Sequence, residues 1–69
     1  MKLTISSKWL NNEANRIESN AKDNLNTWIV LGMTDKYNTQ LDIASMYRKA
    51  STIKNLTLRK EYLINNGLI

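Results

Sequence analysis

The chain contains no cysteine, histidine, proline or phenylalanine, and only two glycines among 69 residues. Each absence removes a class of chemistry or of structure. Without cysteine or histidine there is no disulfide staple, no thiol nucleophile, no imidazole base and no Cys/His zinc site. The missing cysteine also suits a reducing compartment. With no proline, and with Gly32 and Gly67 both near apparent helix ends, nothing interrupts long helical patterns. No apolar run approaches the length of a membrane span, and Met1 to Ser7 lacks the apolar core of a signal peptide. A cytoplasmic protein with no membrane partner is expected, and no internal repeat of solenoid length is present.

What remains is 42% hydrophobic and 23% charged, the composition of one small helical domain over residues 1–69 with a modest core. Its net stability should be about 3–10 kcal/mol, at roughly 0.05–0.15 kcal/mol per residue. Ten Lys+Arg against six Asp+Glu give a formal charge of +4. Up to Asp35 the chain is neutral: Lys2, Lys8, Arg16 and Lys22 balance Glu13, Glu18, Asp23 and Asp35. The second half, residues 36–69, holds all of the excess, with Lys36, Arg48, Lys49, Lys54, Arg59 and Lys60 against Asp42 and Glu61. From Arg48 to Lys60 there is no acid at all, which points to one basic face.

Hydrophobic periodicity predicts an all-α protein, a small bundle of three to four short helices. Leu10, Ala14, Ile17, Ala21, Leu25 and Trp28 recur at intervals of four and three and define one buried stripe. Ser6 reads as its N-cap, with Ile5 and Leu10 as a hydrophobic staple, and Gly32 as its left-handed terminator. This region runs from about Ser7 to Leu31. The asparagines along it, together with Ser19-Asn20 and Asp23, favour a break near residues 19–23 into two helices. Thr34 or Asp35 opens the next region, where Thr39-Gln40-Leu41-Asp42 also reads as a capping box. There Ile43, Ala44, Met46, Tyr47 and Ala50 share an apolar side, opposite Arg48 and Lys49. A restart with Ser51 as N-cap places Ile53, Leu56, Leu63 and Ile64 together and leaves Lys54, Asn55, Arg59 and Glu61 outward; Gly67 closes this helix.

Catalysis is not expected. The carboxylates are scattered, no glycine-rich loop cradles a phosphate, and neither a metal nor a cofactor is implied. Trp28 and Tyr47 lie on apolar stripes as core residues, whereas Trp9 and Tyr62 lie off them. The basic segment offers a binding chemistry instead, since Arg48, Lys49, Lys54, Arg59 and Lys60 suffice for a salt-sensitive contact with DNA phosphates.

The segment from Thr39 to Leu56, with Gln40, the Ile43-Ala44 pair and Ser51-Thr52-Ile53, resembles a helix-turn-helix motif. That resemblance implies that Thr52, Lys54, Asn55 and Arg59 face DNA. It departs from the motif in having Arg48-Lys49-Ala50 where the turn glycine belongs and in being one residue short between Ala44 and Ile53. In size and helical plan, from the Leu10 stripe to the Leu56/Leu63 stripe, the chain is similar to the short companion protein of the UvsW helicase of T4-like phages. That family is likened to the HRDC nucleic-acid-binding module of RecQ helicases, and it implies a helicase or recombination partner in a bacterial host's cytoplasm. The Ile43–Leu56 stretch is also similar to small nucleoid-associated modulators of the Hha type.

Beside the helix-turn-helix-like DNA-binding regulator that the first of these resemblances implies, two functions therefore stand open. One is a non-catalytic module contacting DNA through Arg48, Lys49, Thr52, Lys54, Asn55, Arg59 and Lys60. The other is a protein-interaction module, a homodimer or an adaptor, in which the Leu10 stripe is a seam for another helix and Asn24 a register device.

Overall fold

The computed structural model describes residues 5–69 and comprises three helices: α1 (Ser7–Val30), α2 (Thr34–Ser51) and α3 (Leu56–Asn65). The all-α expectation is met, at the lower end of three to four helices. Ser6 caps α1 as expected, its Oγ accepting from the Trp9 amide at 3.1 Å. Ile5 packs against the cluster that contains Leu10, where the staple places it. Gly32, at φ +70°, ends α1 in a Schellman turn, where its amide donates to Ile29 O at 3.1 Å and the Met33 amide donates to Trp28 O at 2.7 Å. Gly67, at φ +69°, does the same for α3, with Leu68 donating to Leu63 O at 2.8 Å and folding back on the core.

The expected break at residues 19–23 does not occur. Helix α1 is continuous over 24 residues because its stripe is covered up to and across the expected break: Leu10, Ala14, Ile17 and Ala21 are all buried, while Leu25 and Trp28 beyond them are half-buried. Tertiary packing outweighs the low helix propensity of the asparagines. Asn24 is no register device in this fold, since it stays exposed and its Nδ2 donates to Asn20 O at 2.8 Å. The capping box at Thr39 is absent too. Thr39 lies inside α2 and bonds back to Asp35 O, while the helix begins at Thr34 with no side-chain cap.

The connection of residues 31–33 is too short for any arrangement but an antiparallel hairpin of α1 and α2. Its pairings confirm the direction, running from Ser7 with Ser51 at the open end to Ala14 and Ile17 with Ala44 further in. The buried alanines Ala14, Ala21, Ala44 and Ala50 let the two backbones approach closely. Tyr47 packs on both halves of the core, against Leu10, Ala50 and Leu63 and against Ala14, Ile17 and Ala44, and its hydroxyl donates to Leu68 O at 3.3 Å. Since α1 alone is about 36 Å long at 1.5 Å per residue, the hairpin sets the long dimension of a 43 × 22 × 20 Å body. The radius of gyration, 13.7 Å, exceeds the roughly 11 Å of a compact chain of this length, so the bundle is elongated and α3 sits over one end only.

What holds α3 there is Arg59, 6% exposed. Its Nε donates to Ala50 O at 3.1 Å and Ile53 O at 3.0 Å, its Nη1 to Ile5 O at 2.7 Å, and its Nη2 to Ser7 Oγ at 2.9 Å and Ser51 O at 3.3 Å. Ala50 and Ser51 contribute two of the last four carbonyls of α2, which have no partner within the helix. The other two are answered locally, Lys49 O by Thr52 Oγ1 and Arg48 O by Ser51 Oγ, while Ala50 O also accepts from the Ile53 amide at 3.1 Å and Ser51 O from Ser7 Oγ at 2.9 Å. The guanidinium is therefore a cap on the negative end of the α2 dipole and a tie to the start of α1. Exchanging Arg59→Met should lower the unfolding free energy by about 3 kcal/mol, because the carbonyls of Ile5 and Ile53 lose donors worth about 1–3 kcal/mol each. Lys60→Met, one exposed residue further on, should stay within about 0.5 kcal/mol. Urea denaturation of both variants checks the contrast, and equal losses would contradict it.

Candidate interaction surface

The seven residues expected to form one basic face are divided by the fold. Arg59 is a correction: it is buried and saturated by protein acceptors, so it is not available to DNA. Ser51 is likewise not the N-cap of the last helix. Helix α2 runs through it, and the cap is Asn55, whose Oδ1 accepts from the amides of Thr57 at 2.9 Å and Leu58 at 3.1 Å. Thr52, Lys54 and Asn55 thus lie on the connection between α2 and α3, not on a recognition helix. The hydroxyl of Thr52 is spent on Lys49 O at 2.7 Å. The contact set that the helix-turn-helix resemblance implied is not assembled.

Arg48 turns toward α1 rather than toward solvent on the polar side of α2. Its two terminal nitrogens clasp the Glu18 carboxylate, Nη2 to Oε1 at 2.7 Å, and Nη2 also donates to Asn15 Oδ1 at 2.7 Å. Nothing in the local sequence announces this pairing, which spans thirty positions. On the opposite flank Arg16 pairs with Glu13 at 2.7 Å. These pairs hold both carboxyls below their ordinary values, Glu18 through the Arg48 hydrogen bonds and Glu13 through those of Arg16, each opposed by desolvation. All three arginines therefore have partners within the molecule, Arg16 through a pair at the surface of α1.

The outward cations that the second half brings to this end are Lys49, Lys54 and Lys60, all exposed, with Lys49 Nζ 5.9 Å from the centre of the Tyr62 ring; Lys8, at the start of α1, is exposed there too. Around them α3 is unexpectedly apolar on its outer surface: Leu56 is 56%, Leu58 54% and Ile64 50% exposed. The expected inward grouping of Ile53, Leu56, Leu63 and Ile64 is corrected accordingly. Arg59 and Leu63 face the core, and this turns Leu56 and Ile64 out. A signal was present in the sequence, because Leu56, Leu58, Leu63 and Ile64 spread around a helical wheel and cannot all be buried on one side. A second apolar exposure, Ile29, Val30 and Leu31, marks the hairpin tip at the other end. Trp9 is also half-exposed, its ring edge-on to Tyr47 with centroids 6.2 Å apart.

The chain was compared with protein families, curated proteins and solved structures. None matches. Among the described residues no cluster of acidic side chains could hold a metal ion, and no helix is long and apolar enough to cross a membrane.

The depressed carboxyls fix the sign of an acid dependence. Glu18 and Glu13 stabilise the fold fully above their ordinary, unfolded values, and that contribution is lost as pH falls through the lower folded values. Glu18→Gln should therefore flatten part of the acid limb of a stability–pH curve. An unchanged limb would show that the pair with Arg48 contributes nothing in solution.

Proposed function

We propose that the chain is a non-catalytic helical interaction module that binds a partner protein through the outer surface of α3. The observation that carries this reading is the half-exposure of Leu56, Leu58 and Ile64 beside outward lysines, while every arginine has a partner within the molecule. Exposed apolar side chains grouped on one short helix, bordered by charge, have the chemistry of a protein interface. The homodimer through the Leu10 stripe loses its motive, because α2 already covers that stripe; an adaptor bound through α3 does not need it. The likeness to the companion protein of a phage helicase supports a helicase or recombination enzyme as partner, in the cytoplasm of a bacterial host. Site-specific photo-crosslinking in cells that express the full chain tests the reading. A photoreactive phenylalanine at Leu58 or Ile64 should give a discrete protein adduct, and the same group at Ser45, exposed on α2, should not. Absence of adducts, or the same pattern from Ser45, would overturn it.

A second reading, contact with DNA phosphates, is favoured by the exposure of Lys49, Lys54 and Lys60 with Glu61 as the only acid after Asp42. Three lysines give a far smaller site than the seven residues first expected. If each neutralises one phosphate, the log of the binding constant should fall with the log of salt concentration with a slope of about −2.7, at roughly 0.9 per contact. Replacing the three lysines by glutamine should abolish both binding and slope. An unchanged slope in that variant would remove the reading.

A further inference from the structure

We infer that the partner presents an acidic amphipathic helix, seated along Leu56, Lys60 and Ile64 of α3 with a carboxylate opposite Lys60. This rests on the reading of the chain as a protein-interaction module and specifies the chemistry of its partner. The three residues are spaced at i, i+4 and i+8, so they form one nearly straight row, drifting only about 40° per step around the helix. All three are exposed, and the buried line of Arg59 and Leu63 runs beside them, which keeps the row fixed on a helix that cannot rotate. The pattern is apolar, cationic, apolar. A helix laid along it gains by covering Leu56 and Ile64, but covering them also removes water from the Lys60 ammonium.

That cost selects the occupant by charge. A neutral or basic helix would leave the ammonium desolvated without a partner, whereas an acidic residue between two apolar ones answers it. Lys54, just before α3, adds positive charge at the same end, and Glu61 is the single acid of α3; Lys49 lies on another side, over the Tyr62 ring about 160° around the helix from Lys60. A second copy of the chain fits poorly. Lys60 stands midway between Leu56 and Ile64, so a two-fold pairing of α3 with itself brings Lys60 against its own copy. DNA would use the lysines but would gain little from the leucine and isoleucine beside them.

The full chain is titrated, with fluorescence anisotropy as the readout, into labelled helical peptides of about five turns. One peptide carries a leucine face bordered by glutamate, one has the same leucine face bordered by lysine, and one shuffles the glutamate/leucine composition so that no face forms. The acidic amphipathic peptide should bind at least about tenfold more tightly than either control, a difference of about 1.4 kcal/mol. Lys60→Glu should reverse the preference in favour of the lysine peptide. Leu56→Ser and Ile64→Ser should each weaken binding about fivefold or more, with melting temperatures unchanged because both side chains are exposed. Equal binding of the shuffled peptide, retained affinity in Lys60→Glu, or a duplex oligonucleotide that outcompetes the acidic peptide would each overturn the inference. If the acidic peptide fails while adducts from Leu58 and Ile64 persist, the acidic-helix assignment falls and the interaction module stands. If the adducts are absent as well, both fall.

Discussion

A guanidinium without a carboxylate partner joins the three helices, and the remainder of the architecture follows from where it sits. Arg59 projects from α3 into the open end of the α1–α2 hairpin, where the last carbonyls of α2 and the carbonyl of Ile5 point toward one another. The planar fork suits that convergence, because its donors diverge in fixed directions while an ammonium would act as a single point. Burial of an ionised group is costly, and five acceptors together with the negative end of the α2 dipole offset that cost here. The second anchor is apolar: Leu63, one turn on, reaches Leu10 and Ala50 in the same small core.

Fixing α3 by Arg59 and Leu63 determines which of its side chains meet solvent. The helix is short, contacts the hairpin along one side, and carries apolar residues on more than that side. Were Leu56 and Ile64 turned inward, Arg59 would lie outside and the carbonyls of Ile5 and Ile53 would lose the donor it supplies. The choice between these two orientations is one between burying more hydrocarbon and satisfying buried polar groups. Leaving Ile5 O and Ile53 O without the donor that Arg59 gives them is the larger penalty, so the polar requirement prevails and apolar surface remains on the outside. The surface proposed for binding is thus a by-product of how α2 is terminated.

The same economy changes the electrostatics. A sequence with five bases between Arg48 and Lys60 suggests a strong basic face, yet two of these are consumed within the molecule, Arg48 by Glu18 and Asn15, Arg59 by backbone. The lysines stay outside because a compact ammonium on a flexible stem is well hydrated, whereas the arginines have multidentate acceptors within reach. What meets solvent at this end is a modest positive field interleaved with leucine and isoleucine, a combination suited to a partner of mixed chemistry more than to a uniform phosphate backbone.

Local sequence settled much of this protein. Ser6, Gly32 and Gly67 act through a cap or a left-handed turn involving only their neighbours, so they could be placed without knowing the fold. The spacing of Leu10, Ala14, Ile17 and Ala21 likewise defined the inner side of α1, because a helical period is a local property. Tertiary structure decided the continuity of α1, which depends on α2 lying along the stripe from Leu10 to Ala21, and the start of α3, where Asn55 replaces Ser51 because Ser51 still belongs to α2 and a connection intervenes before α3. It also decided the fate of the charges. Whether an arginine faces solvent or carbonyls is set by groups up to 54 positions away, and no periodicity within a helix contains that information.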